Sequence, residues 1–145
     1  MNLKQTFNST ESRVSFLKGL ALLSVADGKV DETEKEYFFN AGIGLEIPED
    51  QLKNIISIFA HDAGEIDTVS VIFENKKQSL LFLREAIQLC YLNGDYCLAE
   101  RKLVNSFAAQ FNINKSGVEK LEKWVIGGID WSKTGDTLLA ELEAQ

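Results

Sequence analysis

Along most of the chain the apolar residues return every three or four positions, the period of amphipathic helices rather than strands. The first such run opens at Ser9 or Thr10, both good N-caps, and lasts to about Ala26, with Phe16, Leu17, Leu20, Leu23 and Ala26 on its inward stripe. Gly28 then supplies a left-handed residue that ends a helix at little steric cost. A second helix begins at Asp31, where Asp31 and Glu34 stand in capping-box spacing, and carries Tyr37, Phe38 and Ala41 as its apolar face. After a turn from Gly42 to Ile47, Pro48 with Glu49 and Asp50 opens a third helix bearing Leu52, Ile55, Ile56 and Phe59.

Between His61 and Lys77 the pattern loosens. The β-branched run from Thr68 to Phe73 has no second strand to pair with, so it reads as a connector or the first part of the next helix. Beyond it the first half returns at an offset of 66 residues: Phe16-Leu17 falls on Phe82-Leu83, Leu23 on Leu89, Asp27-Gly28 on Asn93-Gly94, Glu34-Lys35 on Glu100-Arg101, and Leu45 with Ile47 on Phe111 with Ile113. The second copy thus predicts a helix over 76–92, a glycine turn, a helix of about 15 residues, and a third near Lys115 to Ile126 with Val118, Leu121, Trp124 and Val125 inward. Gly127-Gly128 is read as a break, with Asp130 or Ser132 capping a last helix that holds Leu138, Leu139 and Leu142. The whole is a single all-α domain. It is a compact helical bundle of two pseudo-repeated helix-turn-helix units, six to seven helices in all: repeat 1 about 10–60, a connector 61–75, repeat 2 about 76–126, and a C-terminal helix about 132–144.

A chain of 145 residues can bury its own core, and 45% hydrophobic with 26% charged residues is the composition of a folded domain. The net charge of −7 works against nucleic acid and anionic membranes as partners. No stretch reaches a membrane span and Met1 to Glu11 lacks a signal-peptide core, so the sequence predicts a cytoplasmic protein. Cys90 and Cys97 form no Cys-x-x-Cys pair and read as reduced, core-type residues, although a redox couple across the Gly94 turn is a further reading. The lone His61 reads as a solvated residue near a helix end.

One stretch is chemically pointed. In Ala26-Asp27-Gly28-Lys29-Val30-Asp31-Glu32-Thr33-Glu34 the carboxylates crowd around a turn, and Asp27 sits where the helix dipole is negative. Asp27, Asp31 and Glu34 offer the hard oxygen ligands that Ca²⁺ or Mg²⁺ prefer, though not in EF-hand spacing. In the second copy Asn93 and Cys97 replace Asp27 and Asp31, leaving Glu100 and Asp95; two facing corners could share one ion through Asp27, Asp31, Glu34, Asp95 and Glu100. Helix capping accounts for the same residues without an ion.

The phrase Leu22-Leu23-Ser24-Val25-Ala26-Asp27-Gly28-Lys29-Val30-Asp31-Glu32-Thr33-Glu34, with its fainter echo from Leu89 to Glu100, resembles the TerB-like family of tellurite-resistance and co-chaperone domains. That resemblance implies an all-helical two-repeat fold, no catalysis, bacterial stress-response settings and a divalent metal, Ca, Mg or Zn, at the acidic corner. The function it suggests is a non-enzymatic module that binds partner proteins and, at that corner, a cation. The alternative is a metal-dependent hydrolase built on the same carboxylates, against which stand a single histidine and the lack of a nucleophile elbow or phosphate loop. Trp131, between Gly127-Gly128 and the last apolar run, is read as pinning the last helix, with a partner contact as the other reading.

Overall fold

A computed structural model describes residues 2–26, 28, 30–60, 71–92, 94 and 96–145. The helices are α1 (Leu3–Thr6), α2 (Thr10–Ala26), α3 (Glu32–Gly44), α4 (Glu49–Ser57), α5 (Lys76–Leu92), α6 (Leu98–Gln110) and α7 (Lys115–Glu143), with a 3₁₀ turn at Ile58–Ala60. Among the described residues there is no strand, and no helix is long and apolar enough to cross a membrane. Of the Thr68–Phe73 run, the part from Val71 has no regular secondary structure and leads into α5 as a connector; Thr68 to Ser70 and His61 lie outside the described residues.

The duplication is carried down to the backbone. Helices α2 and α5 start at Thr10 and Lys76, α3 and α6 at Glu32 and Leu98, α4 and α7 at Glu49 and Lys115, each pair 66 positions apart. Both turn glycines have positive φ, 78° at Gly28 and 135° at Gly94, a region costly for any residue with a Cβ. The ends of α3 and α6 close with the same pair of hydrogen bonds. In one, the Ile47 amide donates to the Gly42 carbonyl at 3.0 Å and Glu46 to Ile43 at 2.9 Å; in the other, Ile113 donates to Ala108 at 2.8 Å and Asn112 to Ala109 at 3.1 Å. Glu46 and Asn112 hold the left-handed position, at φ 60° and 58°. This is the Schellman arrangement, and it satisfies carbonyls that would otherwise lack partners at a helix end.

The helix starts repeat as well. Ser9 Oγ accepts from the Ser12 amide at 3.1 Å while Ser12 Oγ accepts from the Ser9 amide at 3.3 Å. In the second copy Asn75 Oδ1 accepts from the Gln78 amide at 2.9 Å and Gln78 Oε1 accepts from Glu74 at 3.0 Å. The first is a reciprocal cap and the second closes one residue earlier, on Glu74; caps of this kind stabilise a helix start by about 1 kcal/mol.

Four phenylalanines join the two copies. Phe7 lies 4.7 Å from Phe16 and its counterpart Phe73 lies 5.2 Å from Phe82; across the copies Phe7 meets Phe73 at 5.5 Å and Phe16 meets Phe82 at 6.2 Å, centroid to centroid. Equivalent residues touching each other place a pseudo-two-fold axis through this quartet. Such tilted and edge-on ring pairs add to plain burial. The repeat therefore reaches back to Phe7, fully buried after α1, in a segment whose polar composition hides it. Arg13 ties that segment down, donating from Nε to the Phe7 carbonyl at 2.7 Å and from Nη2 to Lys4 at 3.1 Å.

Helix α2 is buried on more than one stripe: Ala21, Leu22 and Val25 are as covered as Phe16 and Leu17, whereas Leu20 and Ala26 are only half-buried. The reason is its central position, packed by α3, α4, α5 and α6. On α3, Phe38 is buried and Ala41 half-buried, but Tyr37 is 63% exposed, so the inward face is narrower than the sequence suggests.

The largest correction concerns the chain after Ile126. There is no break at Gly127-Gly128 and no new cap at Asp130 or Ser132: α7 runs unbroken from its Asn114 cap, whose Oδ1 accepts from Gly117 at 2.8 Å, to Glu143. Glycine inside a helix costs about 1 kcal/mol against alanine but does not forbid the conformation, and without a positive φ or a proline nothing ends the hydrogen-bond ladder. Trp124 and Trp131 are correspondingly not inward and not pinning. They are 57% and 80% exposed.

Candidate functional site

The first corner is built by the turn between α2 and α3. Asp31 is the N-cap of α3, its Oδ1 accepting from the Glu34 amide at 2.8 Å, and Glu32 pairs with Lys35 at 3.3 Å. Three acids thus stand on or before the positive end of a helix, where each is favoured electrostatically. Glu34 is half-buried, Asp31 and Glu32 are exposed. Asp27 and Lys29 lie outside the described residues.

The second corner holds different chemistry. Glu100 is 4% exposed and its Oε1 accepts from the Cys97 amide at 3.0 Å, so this carboxylate serves the start of α6. Above it Tyr96 is buried, with the Arg101 guanidinium 4.2 Å from its ring centre and the Tyr91 ring 5.1 Å away edge-on. Arg101 in turn pairs with Glu122 of α7 at 3.0 Å. Burial, aided by the Glu122 carboxylate that hydrogen-bonds it, pushes the Tyr96 phenol well above its ordinary value. The tyrosine is therefore a neutral donor that helps fasten α6 to α7.

The first copy has Val30, Lys35 and Ile56 at the places of Tyr96, Arg101 and Glu122, so this cluster has no equivalent at those three positions of the first copy. Sequence reasoning missed this cluster. The signal was present in the offset comparison, where an apolar Ile56 answers to an acidic Glu122.

Of the five carboxylates named as metal ligands, Asp31 and Glu100 each commit an oxygen to a helix cap, on two different corners, and Glu34 lies on the first turn that Asp31 caps. Asp95, like Asp27, is outside the described residues. Among the described residues no three His, Cys, Asp or Glu side chains are grouped closely enough to hold a metal ion. The residues that could take one are Asp31, through its second oxygen, and Glu34, with Asp27 before them in the sequence. Cys90 and Cys97 are not joined in a disulfide, Cys90 being buried and Cys97 half-buried at the start of α6.

The most exposed apolar surface lies elsewhere, on α7. Trp124, Trp131, Leu138, Leu139 and Leu142 are all more than half exposed, and a Cβ placed on Gly127, Gly128 or Gly135 would touch nothing within 4 Å. Isolated exposed leucines are ordinary, but two tryptophans and three leucines on one helix form a patch of the kind that marks an interaction surface. Beside it an open groove of about 520 Å³ runs between α5 and α7, lined by Arg84, Leu92, Trp124, Ile129 and Asp136 among others, with the Arg84 guanidinium 5.4 Å from the Trp124 ring. Comparison with family models, with curated proteins and with solved structures returned no match.

Proposed function

We propose that the chain is a non-enzymatic binding module of the TerB-like, stress-response kind, which docks partner proteins through α7 and offers its first acidic corner to a divalent cation. The observation that carries the docking part is the row of large apolar side chains left open along α7, Trp131 at 80% exposure above all. Tryptophan is among the residues that dominate binding energy at protein interfaces, and leaving it in water on a rigid helix has no folding benefit. The cation part rests on Asp31, Glu32 and Glu34 gathered at one helix start, together with the family resemblance around Asp27.

The test is affinity enrichment from an extract of the native host, comparing the wild-type chain with the double variant Trp131→Glu, Leu138→Glu. Both positions are exposed, so the variant is expected to melt within a few degrees of wild type while losing the specifically retained proteins. An identical retained set would contradict the reading. In parallel, millimolar Ca²⁺, Mg²⁺ or Zn²⁺ is expected to raise the melting temperature of wild type and not of Asp27→Ala; no shift with any ion removes the cation from the proposal.

A further inference from the structure

One stripe of α7 has a register. Leu121, Trp124, Gly128, Trp131, Gly135, Leu138 and Leu142 follow one another at alternating three- and four-residue steps, the spacing of a coiled-coil seam; Leu121 and Gly135 are half-buried and the other five are exposed. This seam shares Leu121 with the face that α7 turns toward the body, where Val118 and Val125 are buried, and from Trp124 onward its large side chains stand clear of that face. Its sizes alternate as well: each tryptophan is followed by a glycine whose missing side chain leaves a recess open to solvent.

From this we infer that α7 pairs with α7 of a second copy of this chain, antiparallel, with the dyad falling between Ile129 and Asp130. In that register Trp131 of one copy enters the recess at Gly128 of the other, Trp124 that at Gly135, and Leu138 meets Leu121. A glycine opposite each tryptophan is what lets two bulky seams close to packing distance. A foreign helix would have to bring the same alternation in reverse; a second copy supplies it by symmetry.

Charge points the same way. The first half of α7 carries Lys115, Lys120 and Lys123 against Glu119 and Glu122, whereas the second half carries Asp130, Asp136, Glu141 and Glu143 against Lys133. Antiparallel pairing lays the basic half on the acidic half and opposes the helix dipoles favourably; parallel pairing stacks acid on acid. On the solvent side of the seam the proposed register brings Lys120, which is exposed, opposite the exposed Glu141 of the other copy, twice by symmetry. The area suffices: with side chains of roughly 150–250 Å² for the aromatics, Trp124, Trp131, Leu138 and Leu142 leave about 500 Å² open in each copy, and with the flanking residues two copies reach roughly 1,200 Å², the lower edge of specific interfaces.

This inference rests on the reading of α7 as the binding element, and sedimentation of the full chain separates the two. Wild type is expected to move toward twice the 16.2 kDa chain mass as its concentration rises to about 100 μM. Trp131→Glu should weaken the dimer at least thirtyfold. Gly128→Leu should do the same by filling the recess, and since leucine favours helix over glycine that loss cannot come from unfolding. Lys120→Glu and Glu141→Lys should each weaken the dimer about threefold or more, and together restore it. A wild type that stays monomeric, a dimer indifferent to Trp131→Glu and Gly128→Leu, or a charge swap that fails to restore pairing overturns the inference. If wild type is monomeric yet protein retention still depends on Trp131, only the self-pairing falls; if neither is seen, the docking role of α7 falls with it.

Discussion

Replacing Phe82 by alanine is expected to cost about 3–5 kcal/mol of folding stability, the range for a buried aromatic truncated to a methyl group. Phe82 is fully buried and touches a ring on every side: Phe16 at 6.2 Å, Phe73 at 5.2 Å, Phe107 at 5.4 Å and Phe111 at 6.2 Å. Its neighbours come from α2, from the connector before α5 and from α6, so the hole cannot close by moving one element. With about 5–15 kcal/mol available to a domain of this kind, the loss is a large share of the whole. Urea unfolding should show the midpoint fall with little change in slope. Phe39→Ala, at a position 40% exposed on α3, should lose less than about 1 kcal/mol in the same assay. Similar losses for the two variants would mean that the ring quartet is not where the copies are joined.

The second large effect concerns Gly19. A Cβ there would stand 2.3 Å from Phe82 Cζ and 2.5 Å from Cε1, far inside contact distance. Alanine favours a helix over glycine by about 1 kcal/mol, but overpacking a core costs typically 1–3 kcal/mol. The ring decides which wins: Phe82 is enclosed and has no room to recede, so Gly19→Ala should be net destabilising by about 1–2 kcal/mol. In a Phe82→Leu background the clash is gone and only the propensity gain remains, so the same substitution should become neutral or stabilising. A double-mutant cycle reads this reversal directly. Additive effects would show that α2 and α5 do not meet at this point.

How much of this was legible depended on how locally each feature is encoded. The helix starts at Thr10 and Lys76, the glycine turns and the 66-residue repeat rest on short-range chemistry, caps and positive-φ residues that any stretch of chain must satisfy on its own. Phe7 was not legible, because one aromatic in a polar leader has no periodicity, and its burial depends on Phe73 arriving from the other copy. Gly127-Gly128 misled for a related reason: two glycines weaken a helix without ending it. Trp124 was placed inward because large apolar residues usually are, and Trp131 was set in a connector by the supposed break; the offset that turns their stripe away from Val118 and Val125 emerges only once α7 is one helix. At the acidic corners, Asp31 was legible as a cap with Glu34 in capping-box spacing, but the bond from the Cys97 amide to Glu100 was not foreseen, and the Tyr96, Arg101 and Glu122 cluster joins residues far apart in sequence.

The claim on which the functional account depends is that the long last helix holds its two tryptophans in water until something covers them. They are the chain's only tryptophans, so intrinsic fluorescence reports on that face alone. In dilute solution the emission should lie toward long wavelength and be largely accessible to acrylamide, Trp131 more than Trp124, then shift to shorter wavelength and become protected as the concentration rises or a partner is added. Emission already blue-shifted and shielded at the lowest concentration, and unchanged on raising it, would place both indoles against the body and contradict the account.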